Sequence, residues 1–116
     1  MPNREHDSKT DVLQGTLDLM VLQTLAALGR LHGYAIAARI EQVSKGAIQL
    51  NMGTLYPALV RLELRGYIRA RWDTTETNRR ARFYELTAAG RKQLEVARAG
   101  WVRMAGIMQR LLRNEF

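Results

Sequence analysis

Apolar residues recur along the chain with a period that changes at identifiable points. Leu13, Leu17, Met20, Val21, Leu25 and Leu28 fall on one helical face and predict a first helix over about 12–28, ended by Gly29. A second series, Tyr34, Ile36, Ala37, Ile40 and Val43, predicts a helix over about 33–44, closed by the Ser44-Lys45-Gly46 turn. Ile48 to Leu50 alternates and is too short for a helix, so a short strand is expected there. Helical spacing returns with Leu55, Leu59 and Leu62 over about 51–65, and Gly66 stops it. Either Asn51 or Thr54 can cap this third helix. With Asn51 as cap, Pro57 removes one helix hydrogen bond; with Thr54, Pro57 lies in the first turn and removes none.

Strict alternation follows Gly66. Ile68, Ala70 and Trp72 share one side of a strand, and Arg69, Arg71 and Asp73 share the other. The polar segment 74–80 has Asn78 available for a left-handed turn, and 82–86 reads as the returning strand, which makes a hairpin tipped by Arg79 and Arg80. Thr87 then caps a final helix to about Leu112, whose apolar positions Leu94, Ala97, Trp101, Met104, Met108 and Leu111 alternate spacings of three and four. Such a helix of about 25 residues reaches roughly 37 Å, longer than the three helices before it can cover, so its seam calls for a second chain. The expected fold is mainly α with a small β-hairpin: a winged helix–turn–helix over 12–86, a long C-terminal dimerisation helix over 87–116, and a flexible tail over 1–11. In that arrangement the third helix enters a DNA major groove and the hairpin is the wing.

Composition narrows the function classes. A chain of 116 residues, 47% hydrophobic and 25% charged, accommodates one globular domain. Having no cysteine, it has no disulfide, thiolate metal site or cysteine nucleophile. The longest apolar stretch, Leu19 to Leu28, is too short to span a bilayer, and the mixed-charge N-terminus lacks the apolar centre of a secretory signal, so a cytoplasmic protein with no membrane partner is expected. The net charge of +7 is localised: residues 1–60 carry five basic and five acidic groups, whereas 61–116 carry thirteen basic and six acidic ones. A one-sided positive field favours a polyanionic partner, although a solvated basic face accounts for the same numbers.

An ordered set of motifs is more specific. Gly15-Thr16-Leu17-Asp18-Leu19, His32-Gly33-Tyr34, Gly53-Thr54-Leu55-Tyr56-Pro57-Ala58-Leu59 with Arg61-Leu62-Glu63 and Gly66, and Arg82-Phe83-Tyr84 with Leu86-Thr87-Ala88-Ala89-Gly90 together resemble the PadR family of bacterial transcriptional regulators, over about Leu13 to Leu112. The single short C-terminal helix resembles the small subfamily, which dimerises through it. The resemblance implies a homodimeric regulator, usually a repressor, that binds double-stranded DNA at an inverted repeat and needs no cofactor. By position, it implies DNA contacts from Tyr56 with Asn51, Thr54 and Arg61, and wing contacts from Arg79, Arg80 and Arg82. Many relatives carry a Gly-Gly pair before the wing arginines, where this chain has Thr77-Asn78. Dimer contacts are expected from Leu13, Leu17, Leu94, Ala97, Trp101, Met104, Met108 and Leu111. In some small members a tryptophan at the position of Trp101 stacks on flat aromatic ligands between subunits. Trp101, with Met104 and Met108, therefore fits either a pocket for a small aromatic effector or plain packing of the dimer core.

Catalysis finds little support. The histidines are His6 and His32 and the serines are Ser8 and Ser44, which assemble no nucleophile, base and orienter and no metal-ligand set. His32 reads as a structural residue of the turn between helices, and Tyr34 as core or interface. The rival to a DNA-binding regulator is a winged-helix module that binds protein or RNA. RNA is disfavoured because its A-form major groove does not admit a reading helix.

Overall fold

In the computed structural model the backbone is described for residues 4–116 and side chains from Gly15 onward. The elements run α1 (Arg4–Leu28), β1 (Leu31–His32), α2 (Gly33–Val43), α3 (Met52–Leu64), β2 (Ile68–Thr74), β3 (Arg80–Leu86) and α4 (Ala88–Leu112). Three antiparallel strands lie in the order β1-β3-β2, with β2 and β3 forming the wing and β1 pairing Leu31 with Tyr84 and His32 with Phe83. The architecture is the mainly helical winged helix–turn–helix that the hydrophobic pattern predicts.

Two elements differ from expectation. Helix α1 starts at Arg4, not near Val12, and so takes in most of the segment expected to be a tail; no glycine or proline interrupts residues 4–14. The third strand is Leu31–His32, not Ile48–Leu50. Ile48 and Leu50 pack against the core from a loop in which the Ser44 hydroxyl accepts a hydrogen bond from the Ile48 amide at 3.0 Å. Their alternation reflects loop packing and involves no ladder bonds.

Local chemistry sets the other boundaries. Asn51 caps α3, its Oδ1 accepting from the Thr54 amide at 2.9 Å, which places Pro57 inside the helix and forgoes the bond its amide would make to the Gly53 carbonyl. His32 caps α2 through Nδ1, which accepts from the Ala35 amide at 3.2 Å, and its ring meets Phe83 edge-on. Thr87 caps α4, its Oγ1 accepting from the Gly90 amide at 3.0 Å while donating to the Gly66 carbonyl at 2.6 Å.

One core joins Val21, Leu22 and Leu25 of α1, Ile36 and Ile40 of α2, Leu55, Leu59 and Leu62 of α3, Ile68, Tyr84 and Leu86 of the sheet, and Leu94 of α4. Among the described residues, no polar or charged side chain is fully buried and no helix is long and apolar enough to cross a membrane.

Candidate nucleic-acid interface

Helix α3 turns Leu55, Ala58, Leu59 and Leu62 into the core, so its opposite face is what a partner meets. Tyr56 stands on that face, 47% exposed. Asn51 and Thr54 lie in the first turn below it, Asn51 exposed but engaged as the cap and Thr54 partly buried. Arg61 does not join them. Its Nη2 reaches the Asp18 carboxylate of α1 at 2.7 Å, with both side chains largely shielded. In this structure its charge ties α3 to α1. The outer face of α3 then has little net charge, and the positive field must come from elsewhere.

The wing carries part of that field: residues 68–86 hold five arginines against three acidic groups, while 87–116 hold six basic groups against two acidic ones. The loop between β2 and β3 is closed by the Thr75 amide donating to the Arg79 carbonyl at 2.7 Å and the Asn78 amide donating to the Thr75 carbonyl at 2.9 Å. Asn78 takes the left-handed conformation, φ 62°, so the turn forms without a Gly-Gly pair. Arg79 and Arg80 are exposed and make no ion pair among the described residues. Arg80 lies over the indole of Trp72, 5.3 Å from the ring centroid. Trp72, expected to turn inward with Ile68 and Ala70, is 58% exposed because β2 has by then run past the end of the core.

Arg82, like Arg61, has an acidic partner within the chain. Its Nη2 donates to Glu63 Oε2 of α3 at 2.9 Å, its guanidinium lies 5.9 Å from the Tyr84 ring centroid, and its buried Nε finds no partner. Arg82 thus braces the base of the wing against α3. Burial pushes the Tyr84 phenol up, and the Arg82 charge opposes that shift. On the other sheet face Arg69 pairs with Glu85 at 2.7 Å and Arg30 pairs with Asp73 at 3.0 Å while stacking on Phe83. The Thr74 amide, and after it Arg30, holds the Asp73 carboxyl below the usual range; a hydrogen bond from Arg69 does the same for Glu85. After these pairings Arg71, Arg79 and Arg80 are the cations of the hairpin with no ion pair among the described residues. Tyr34, at the start of α2, is 72% exposed, which overturns the core assignment.

The expected dimer residues divide. Leu17 and Leu94, each 5% exposed, already lie inside the chain's own core. Leu13 lies outside the residues whose side chains are described. Ala97 is partly buried, whereas Trp101, Met104, Met108 and Leu111 are exposed. An open groove of about 820 Å³ runs between Leu19, Met20 and Leu28 of α1, Ile40 and Val43 of α2, and Trp101 of α4. Trp101 lines it; Met104 and Met108, expected beside Trp101 in an effector pocket, lie further along α4 and do not. No cluster of potential metal ligands occurs among the described residues.

Comparison with known proteins agrees with this geometry. The pattern of the transcriptional regulator PadR-like family matches residues 21–96. A transcriptional regulator from Clostridium thermocellum superposes with a TM-score of 0.77 at 29% identity, covering 86% of this chain and 93% of that one. A PadR family transcriptional regulator from Eggerthella lenta gives 0.73 at 27% identity, covering 95% and 94%. An uncharacterized transposon protein of Streptomyces fradiae is 44% identical over 88 residues, 76% of this chain; the chain spans only 24% of that protein's length. The capped, outward-facing α3, the braced wing and the match over residues 21–96 lead to one conclusion: the chain belongs to the PadR-like family of transcriptional regulators.

Proposed function

We propose that this chain is a sequence-specific DNA-binding repressor that acts as a homodimer on an inverted-repeat operator. The observation that carries this reading is the ion pair between Arg82 and Glu63, which fixes an arginine-tipped wing beside the exposed Tyr56 face of α3. An almost uncharged helix face suits base edges and thymine methyls, and Arg71, Arg79 and Arg80 supply the phosphate contacts. Dimerisation through Trp101, Met104, Met108 and Leu111 sets two such units on successive major-groove segments. A small aromatic effector in the groove beside Trp101 releases the DNA if it binds the low-affinity arrangement of the dimer more tightly.

Selection of bound sequences from random duplex DNA tests the whole reading and is expected to return an inverted repeat. Replacing Arg79 and Arg80 together by alanine weakens binding to every duplex and flattens the dependence of log K on log salt by up to about 0.9 per lost phosphate contact. Equal retention of single-stranded RNA and of the selected duplex would overturn the reading in favour of a general interaction module.

A further inference from the structure

The hairpin face turned toward α3 carries a row of alternating rings and cations. Along β3, Arg80, Arg82 and Tyr84 share this face, and Trp72 of β2 sits opposite Arg82 in the register. From core to tip come Tyr84, buried; Arg82, clamped by Glu63 and level with the mostly exposed Trp72; and Arg80, exposed and lying over the Trp72 ring. The indole is large and apolar, yet it lies beyond the core. Covering one face of Arg80 is the contact the structure gives it.

We propose that Trp72 is a positioning residue that holds the Arg80 guanidinium ready to meet a phosphate of the duplex lying along α3. The proposal rests on the duplex-binding reading above and adds to it a division of labour within the wing. A free arginine loses rotamer freedom when it grips a phosphate. A guanidinium stacked on a ring has already given up part of that freedom, and its N–H edges stay available for a forked contact. Because Arg82 is fixed to α3 through Glu63 and Trp72 stands opposite it, the chain Glu63–Arg82–Trp72–Arg80 sets the place of the outer cation relative to the helix. Arg79, one residue away in the turn, has neither ring nor ion pair among the described residues and contributes charge without a fixed position.

Duplex affinity, measured by fluorescence anisotropy for the full chain carrying Trp72→Ala, Trp72→Phe, Arg80→Ala or both alanines, tests this. Trp72→Ala is expected to weaken binding about two- to five-fold, the size of a cation–π contact at an exposed site. Trp72→Phe recovers much of the loss because it keeps a ring face. In the Arg80→Ala background, Trp72→Ala has no further effect, and its melting temperature stays close to that of the parent. Without DNA, Arg80→Ala alters indole emission, a change absent when Trp72→Phe is already present. A loss that persists in the Arg80→Ala background, or a Trp72→Ala protein that binds like wild type, overturns the proposal and leaves duplex binding standing. Failure of the wild-type chain to bind any duplex at low salt overturns both, and the emission change then reports whether the stack itself exists.

Discussion

Helices α1 and α4 have the same length, 25 residues, and pack against each other, but over their described side chains the core takes up far more of α1 than of α4. Leu17, Val21, Leu22 and Leu25 of α1 all reach the core. On α4 the buried residues are Gly90 and Leu94, both within its first two turns, and beyond them Trp101, Met104, Ile107, Met108, Leu111 and Leu112 are exposed. Apolar surface is favoured out of water at about 25 cal/mol per Å², so this row is what the proposed dimer would bury. Hydrophobic spacing alone makes the two helices look alike. Their difference lies in whether the rest of the same chain is close enough to cover the stripe.

The sharpest way to break this contrast is Met108→Glu. In the proposed dimer it buries two unpaired carboxylates against each other, each costing several kcal/mol, so sedimentation should show a folded monomer with the circular dichroism of the wild type. A dimer that survives unchanged moves the interface elsewhere. On α1 the corresponding change is Leu22→Ala, which empties a fully enclosed site and should cost about 2–5 kcal/mol in denaturant unfolding. Because Leu22 serves the chain's own core, its cost should be the same in the Met108→Glu background. Dependence on that background would mean that α1 also belongs to the interface.

Gly90→Ala probes the junction between the core and the exposed part of α4. A Cβ there runs into the Tyr67 carbonyl oxygen and the Leu86 side chain, so the first turn of α4 must move off the sheet. About 1–3 kcal/mol of stability should be lost, and the change should displace the start of α4 while leaving the exposed row intact. A variant of wild-type stability would show that this turn is loosely seated.

Much of the molecule was legible in the residue pattern, and the exceptions have a common physical origin. Helical spacing located α2, α3 and α4, alternation located β2, and Asn78 located the wing turn, because each depends on residues near one another in sequence. The strand Leu31–His32 has no period of its own at two residues; Phe83 and Tyr84, some fifty positions on, make it a strand. Likewise the ion pairs of Arg61 with Asp18 and of Arg82 with Glu63 join residues far apart in sequence, and no local pattern announces them. Leu17 and Leu94 belong to the same kind of stripe as Met104 and Met108, and only the packing of α1 on α4 separates core from seam. Of the candidate interface, the Arg79-Arg80 pair is exposed at the loop tip where the hairpin pattern put it, and Tyr56, singled out by the family resemblance, is exposed on α3. Trp72 could not be found from sequence, because alternation placed it on the inward face without showing where the core ends.

The smallest expected effect separates the same two regions by charge. Two carboxyls held below their ordinary values, Asp73 and Glu85, both lie on the hairpin. A depressed native pKa means that the unfolded chain binds protons first as pH falls, so the stabilisation is complete above the ordinary carboxylate range near pH 4 and is lost as pH drops through the lower native values. Asp73 is exposed and Glu85 partly so, so the loss should be slight, and it should leave the proposed interface along α4 intact. Carbon-detected NMR titration of the carboxyls from pH 6 to about 2 reads it directly. Arg69→Ala should bring Glu85 back toward the usual glutamate value, since the Arg69 hydrogen bond is the main cause of its shift. Arg30→Ala should restore Asp73 only in part, because the Thr74 amide contributes more than Arg30 does. Full restoration of Asp73 would mean that the ion pair, and with it the anchoring of the wing to the end of α1, outweighs the local turn.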